Sequence, residues 1–195
     1  MKTTPNVFII ESLKFEDEKR ERFEGKFLSH ILNLDRDELN SNYYYIRTKK
    51  ELEKVLEIFD NSKLRYLHIS CHGNSECLAT TLDRIGFEEF ANLIGPHLNK
   101  KRLFISACEA VNIKLARSIL GRSNCYSLIG FGKEISYSDA AVIWASFYHL
   151  MYSVNPRAME RAKIREILRE IKQIYGIQMK FFTKYKDDSI REIVV

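Results

Sequence analysis

Two residues of this sequence have the chemistry of a nucleophile and of a proton carrier, and each follows an apolar run. His72 follows the segment RYLHISC, and Cys108 follows the segment RLFISA. A cysteine nucleophile needs a group within reach that can move its proton, and a histidine can do this. The two residues are therefore the minimum pair for acyl transfer.

The residues next to this pair have properties that would assist the same chemistry. Gly73 has no side chain, so a substrate carbonyl could approach its backbone closely, and its N–H together with that of Cys108 would form an oxyanion hole. A helix predicted to begin near Val111 would bring its positive end close to the thiol and favour the thiolate. Glu109 would oppose this effect if it faced the site.

The elements that must position the pair follow from the spacing of apolar residues. Short runs rich in apolar residues predict strands at 7–10, 43–46, 64–71, 102–108 and 125–130, and the tail at 177–185 and 190–195 predicts a terminal hairpin or a pair of edge strands. Helical spacing and end signals predict helices at 15–34, after Thr48, at 87–94, at 111–120, after a cap at Ser138 or Asp139, and from Pro156 to Tyr175.

Strands that alternate with helices predict an α/β fold with a mostly parallel central sheet and helices on both faces. In such sheets the functional sites lie beyond the carboxyl ends of the strands. His72 and Cys108 both follow strand ends, so they share one cleft if their strands are neighbours about 4.8 Å apart. The charged run at 16–24 is expected to be a solvated helix face.

Length and composition are those of a single domain over residues 1–195, with 45% hydrophobic residues to form its core. The first residues lack the apolar segment of a signal peptide, and no run approaches the roughly 20 residues that span a bilayer. We therefore expect a cytoplasmic protein without a membrane partner. The four cysteines are expected to be reduced thiols, with Cys71 in the core on the opposite face from His72.

Several other classes of ligand are not expected. The net charge of +5 is spread along the chain, whereas a nucleic-acid site concentrates basic residues on one face. A nucleotide-binding domain is disfavoured because no strand is followed by a glycine-rich phosphate loop. A zinc site from His68, Cys71, His72 and Cys77 is disfavoured because residues 71 and 72 diverge across the sheet. We expect no metal and no cofactor.

Three ordered segments resemble the CHAT domains of the caspase-like cysteine peptidases, a clan that also contains caspases and separase. The segments are Leu67–Gly73, Leu103–Ala110, and Leu128–Gly130 leading into Asp139–Ala141 with Phe147, Tyr148 and Leu150. The resemblance implies a caspase-like three-layer α/β/α fold. It also implies that Cys108 attacks a peptide carbonyl and that His72 protonates the leaving amine, without an obligatory third carboxylate.

One departure from the family concerns the loop that borders its substrate pocket. This chain has Lys133 and Glu134 where relatives often have Trp-Pro, so substrate preference is not carried over. Acidic residues bind the substrate side chain in members specific for basic residues, and Glu134 or Asp139 could do so here. Asp139 is alternatively a helix cap.

The resemblance predicts a cysteine endopeptidase that cleaves a protein substrate at specific sites. Relatives are usually restrained by fused repeat or sensor regions, so a separate regulatory or sensor protein is expected to control this chain. The alternative is a catalytically silent caspase-like domain that keeps the pair and serves as an interaction or signalling module.

Overall fold

A computed structural model describes residues 4–34 and 41–195 of the chain. Its strands are β1 Thr4–Glu11, β2 Asn42–Tyr45, β3 Leu64–Ser70, β4 His72–Gly73, β5 Cys77–Ala79, β6 Arg84–Gly86, β7 Arg102–Ser106, β8 Ser127–Phe131, β9 Met179–Lys184 and β10 Ile190–Glu192. Its α-helices are α1 Phe15–Lys19, α2 Glu24–Leu32, α3 Lys49–Ser62, α4 Phe87–Ile94, α5 Ile113–Leu120, α6 Tyr137–Val154 and α7 Arg161–Tyr175. Among these described helices, none combines the length and the apolar character that crossing a membrane requires.

The central sheet has seven strands in the order β10-β9-β8-β7-β3-β1-β2. The strands from β8 to β2 are parallel to one another, and β9 and β10 complete one edge as an antiparallel hairpin. A small antiparallel sheet of β4, β5 and β6 follows directly after β3. The predicted mostly parallel sheet and terminal hairpin are confirmed.

Helices cover both faces of this sheet. Successive side chains of a strand point to opposite faces, so neighbouring residues of one strand pack against different helices. Leu67 and Leu103 pack on the side of α3, α4 and α5. Tyr66 and Phe104, one position away, pack on the side of α2, α6 and α7. Strands covered on both faces are apolar on both faces, which is why these runs could be recognised in the sequence.

The charged segment after β1 differs from its prediction. Instead of one helix over 15–34, α1 ends at Lys19 and α2 begins at Glu24. Glu21 lies between them in the left-handed region, with a φ of 53°. The run is also not a solvated face throughout, because Asp17 and Glu24 are buried.

The starts predicted for α6 and α7 are wrong. Ser136 caps α6, instead of Ser138 or Asp139, because the Ser136 hydroxyl accepts a hydrogen bond from the Asp139 N–H at 3.1 Å. Pro156 does not open α7, which begins at Arg161. Pro156 instead lies in the turn after α6, where the Asn155 side chain accepts a hydrogen bond from the N–H of residue 157.

The aromatic contacts beneath α6 predict where the fold is most sensitive to truncation. The Phe104 ring is fully buried, with its centroid 5.8, 5.6 and 5.5 Å from those of Trp144, Phe147 and Tyr148. Phe104→Ala should lower the free energy of unfolding by about 3–5 kcal/mol, measured by urea denaturation. The control Val142→Ala, at a half-exposed position of α6, should change it by less than about 0.5 kcal/mol. Equal effects would contradict this description of the core.

Candidate active site

The pairing of β3 with β7 brings His72 and Cys108 together. Ser70 lies opposite Ser106, and the Cys71 N–H donates to the Ser106 carbonyl at 3.0 Å, which extends the ladder past the strand ends. His72 and Cys108 follow two residues after these paired serines, so they lie at the same edge and on the same face. Both line one cavity of about 60 Å³.

Gly73 allows the two strand ends to approach each other. Strand β4 holds His72 and Gly73 against β5 just beyond the end of β3. A Cβ atom on Gly73 would lie 3.1 Å from the Ala107 Cβ and 3.2 Å from the Ala110 Cβ, tighter than ordinary contact. The glycine therefore has a packing role here, in addition to the oxyanion role predicted from the sequence, which stays a prediction.

Asp17 is the acidic residue that contacts His72. The His72 Nε2 atom lies 2.8 Å from Asp17 Oδ2 and 2.8 Å from the Tyr137 hydroxyl. The Tyr137 hydroxyl donates to Asp17 Oδ2 at 3.0 Å, and the Arg22 guanidinium donates to Oδ1 at 2.9 Å. The carboxylate thus links α1 to the imidazole and to the start of α6.

The charge state of Asp17 determines which nitrogen of His72 carries the hydrogen. Burial acts to raise the pKa of Asp17, but hydrogen bonds from His72, Tyr137 and Arg22 outweigh it and lower that pKa below its usual value. An ionised carboxylate only accepts hydrogen bonds, so Nε2 is the donor. In the neutral ring the lone pair then lies on Nδ1, which is the nitrogen that can accept a proton.

No local signal in the sequence distinguishes Asp17 as a site residue. It stands in a run of acidic and basic residues between Glu16 and Glu18, and such runs are usually solvated. Its contact with His72 joins residues 55 positions apart. Only the folding of α1 over the strand ends brings the two together.

Cys108 is tied to the loop that leads into α6. Its thiol donates to the Ile135 carbonyl, with the sulfur 3.5 Å from the oxygen. Glu109 turns the chain sharply, with a φ of 56°, and its N–H donates to the Lys133 carbonyl at 3.2 Å. In the described part of the chain, no hydrogen bond joins the thiol to His72 in this arrangement.

The helix after Cys108 begins later than predicted. Helix α5 starts at Ile113, and the Asn112 side chain accepts hydrogen bonds from the N–H groups of Lys114 and Leu115 at 2.9 and 3.2 Å. These two N–H groups at the start of α5 are therefore already hydrogen-bonded, and their acceptor is a neutral side chain. Glu109 is exposed. Activation of the thiol by this helix stays a prediction.

Of the other cysteines, Cys71 is only partly buried and lines the same cavity, which differs from its predicted place in the core, whereas Cys125 is buried in the core. Burial raises the pKa of Cys71 to about 12 and that of Cys125 to about 11. Cys71 packs with the α3–α5 side of the sheet, whereas His68 contacts Trp144 on the other side, so the sheet divides the residues of the alternative zinc site. Within residues 4–34 and 41–195, no three His, Cys, Asp or Glu side chains are grouped as a metal site requires.

The two acidic residues predicted to bind substrate lie elsewhere. Glu134 is exposed and lines a different cavity, between the end of β8 and the end of α7. Asp139 is exposed and accepts a hydrogen bond from the Ser136 hydroxyl at 2.7 Å. Neither lines the cavity of His72 and Cys108, so their substrate role stays a prediction without a contact to that cavity. Glu24 does line it.

Comparisons with known proteins give structural matches only. No protein-family profile and no curated protein matches this chain. A secreted C11 cysteine protease of Bacteroides thetaiotaomicron, iotapain, superposes with a TM-score of 0.57 and 10% identity over 94% of this chain and 67% of its own. A secreted C11 cysteine protease of the same organism, in complex with an irreversible peptide inhibitor, gives a TM-score of 0.60 and 11% identity, over 92% of this chain and 66% of its own.

This chain thus spans about two thirds of the length of these proteases. Caspase-1 of Spodoptera frugiperda has a lower TM-score of 0.48, with 11% identity over 85% of this chain and 77% of its own. At such identities, a structural likeness shows the fold alone. The two C11 matches show that the chain has their fold, a three-layer α/β/α arrangement around a mostly parallel sheet, as in the caspase-like fold class that the sequence predicted.

Proposed function

We propose that this chain is a cysteine endopeptidase of the CHAT type that cleaves a protein substrate at specific sites. The observation that carries the proposal is the single cavity lined by His72 and Cys108, at the carboxyl edge of two neighbouring parallel strands. The fold is shared with C11 cysteine proteases, and one of these was solved with an irreversible peptide inhibitor. A cytoplasmic location is part of the proposal and follows from the sequence expectation alone.

The reaction uses each residue in a defined role. His72 takes the thiol proton at Nδ1, and the Cys108 sulfur attacks the peptide carbonyl carbon to give a tetrahedral oxyanion. The N–H groups of Gly73 and Cys108 stabilise that oxyanion. His72 gives the proton to the leaving amine as the C–N bond breaks, which leaves a thioester. Water then hydrolyses the thioester, and His72 returns the proton to the sulfur.

Asp17 serves as a positioning residue in this mechanism. Its carboxylate holds the Nε2–H of His72, which fixes the ring orientation and the tautomer. It also stabilises the imidazolium that forms when Nδ1 accepts the thiol proton. The proposed mechanism thus includes a carboxylate as a third group beside the cysteine and the histidine, which the family resemblance did not require.

Control by a separate partner is a further part of the proposal. The resting hydrogen bond from Cys108 to the Ile135 carbonyl supports it, because the thiol must leave this acceptor before it can transfer its proton to His72. A partner or substrate that moves the loop at 132–136 would release the thiol. The fused regulatory regions of CHAT relatives suggest the same by analogy.

The first test of the proposed function distinguishes an enzyme from an interaction module. Cys108→Ala should abolish cleavage of every substrate and leave the fold and partner binding nearly intact, because the sulfur lies at a cavity and not in the core. His72→Ala should have the same effect, and the double variant should be no worse than either single one, since the pair acts as a unit. Gel analysis of candidate substrates incubated with each variant measures this.

The alternative role as a silent module makes the opposite prediction. Fragments that persist with Cys108→Ala would rule out catalysis by this thiol. A biological activity that this variant fully retains would likewise favour an interaction or signalling module with the same fold.

A second prediction concerns the order in which the thiols react. Brief treatment with iodoacetamide near neutral pH should modify Cys108 ahead of Cys71 and Cys125, because burial raises the pKa of the latter two to about 12 and 11. Peptide mass spectrometry gives the order. Equal labelling of all three would mean that Cys108 is not the most reactive of these thiols.

A third prediction tests Asp17 as a positioning residue. Asp17→Asn should lower kcat by about tenfold or more with little change in KM, because Asp17 contacts His72 and not the substrate; tenfold corresponds to about 1.4 kcal/mol. Asp17→Glu should recover part of the loss. The control is Glu16→Gln, at the exposed neighbouring acid. A loss in KM alone, or equal losses in Asp17→Asn and Glu16→Gln, would show that Asp17 does not position the imidazole.

A further inference from the structure

The cavity shared by His72 and Cys108 has a polar closed end. Glu24, Ser70 and Ser106 lie there and are 6%, 2% and 3% exposed, whereas His72 and Cys108 are only half-buried. The side walls include apolar groups, from Ala107, Ile135 and Ala140. A volume of about 60 Å³ holds several water molecules, or the end of one narrow side chain.

Glu24 has no cationic partner at this closed end. Its Oε2 atom accepts a hydrogen bond from the Ser70 hydroxyl at 3.3 Å, and its Oε1 atom has no hydrogen-bond partner. His68 Nε2 lies 3.9 Å from Oε1, but burial lowers the pKa of His68 to about 3, so the ring is neutral. No lysine or arginine of residues 4–34 and 41–195 forms an ion pair with Glu24.

The surroundings of Glu24 make the ionised form of its carboxyl group unfavourable in the free protein. Burial raises the pKa of Glu24 to about 8, with a smaller contribution from the charge of Glu11, and outweighs the hydrogen bonds from Ser106 and Ser70 that act to lower it. The titratable groups around it, apart from the catalytic pair, are Glu11 of β1, His68 of β3, Cys71 after β3, and Tyr137 and Tyr148 of α6. None of these supplies a positive charge at neutral pH. A buried carboxyl group of this kind becomes favourable when a cation pairs with it.

We propose that this cavity binds the side chain of the substrate residue whose carbonyl Cys108 attacks, and that Glu24 selects lysine or arginine there. The inference rests on the proposed function, because it assigns the pocket relative to the nucleophile. Glu24 takes the specificity role that the sequence suggested for Glu134 or Asp139.

The chemistry of the pocket favours a long cationic side chain over the alternatives. The methylene groups of lysine or arginine can lie along Ala107, Ile135 and Ala140, and the charged end reaches the Glu24 carboxylate and the serine hydroxyls. An aspartate or glutamate would bring a second carboxylate beside Glu24. An apolar side chain would leave Oε1 without a partner, as it is in the free protein.

Proton linkage gives the inference a distinct pH dependence. Below a pH of about 8 the free protein holds Glu24 in its protonated form, and a bound cation must release that proton. The preference for a cationic side chain over a neutral one of the same shape should therefore rise with pH, by up to about tenfold per unit, and level off above about 8. A ratio of two substrates cancels every pH effect that the two reactions share.

The experiment uses irreversible peptide inhibitors that differ only at the residue next to the reactive group. Arginine, its neutral isostere citrulline, and aspartate are compared, and modification of Cys108 is followed by mass spectrometry. The full chain should react with the arginine inhibitor at least about tenfold faster than with the citrulline one at pH 8, and slowest with the aspartate one. Glu24→Gln should bring the arginine-to-citrulline ratio close to one, and Glu16→Gln should keep it.

The outcomes separate this inference from the proposed function. Equal rates for arginine and citrulline in the unaltered chain, or a ratio lowered by Glu134→Gln or Asp139→Asn and not by Glu24→Gln, would overturn the role of Glu24. Cys108 would remain the nucleophile in either case. Failure of every inhibitor to modify Cys108 would instead contradict the proposed function. If Glu24→Gln does not fold, the pH dependence of the ratio in the unaltered chain decides, and a flat ratio between pH 6 and 8 overturns the inference.

Discussion

The register between β3 and β7 determines where the reactive side chains meet. Ser70 is paired with Ser106, and this pairing brings the two residues beyond them, His72 and Cys108, to one edge and one face. A shift of one residue would move one member of the pair to the other side of the sheet. The core resists that shift, because it would also turn Phe104 away from the aromatic rings of α6. Packing in the core thus maintains the geometry of the site.

The segment after β1 supplies the acidic groups of the site. Buried Glu11 accepts hydrogen bonds from the N–H groups of Gly25 and Lys26, at 2.7 and 3.2 Å, and so fixes the first turn of α2. A carboxylate at this end of a helix is also favoured by the helix dipole. Glu24 is thereby held at the closed end of the cavity, and Asp17 of the preceding helix contacts the imidazole of His72. One charged segment therefore contributes both a positioning group and the proposed specificity group.

The sequence predicted the elements whose signal is local. The strands that lead to His72 and Cys108 are apolar on both faces, and the turn residues after them mark where they end, so the pair and its edge of the sheet could be predicted. The helix after Thr48 could be predicted as well, because the capping box of Thr48 and Glu51 that starts α3 lies within four consecutive residues. The resemblance to CHAT domains added the layer arrangement, which the structural matches support at the level of the caspase-like fold.

What the sequence did not predict depends on contacts between distant segments. Asp17 and Glu24 are acidic residues in a charged run, and nothing in their spacing indicates that the chain folds back and buries them. Glu134 and Asp139 lie in or just after the loop that borders the pocket in relatives, and both are exposed here, so their substrate role stays a prediction. Pro156 was assigned to a helix start because proline is tolerated there, whereas here the Asn155 side chain closes a turn around it.

A crystal structure of the chain after reaction with an irreversible peptide inhibitor tests the central claim most directly. We expect a covalent bond from the inhibitor to the Cys108 sulfur, with His72 still held by Asp17 and no hydrogen bond left between Cys108 and the Ile135 carbonyl. A peptide attached to another cysteine, or bound without any bond to Cys108, would contradict the claim that His72 and Cys108 form the catalytic pair.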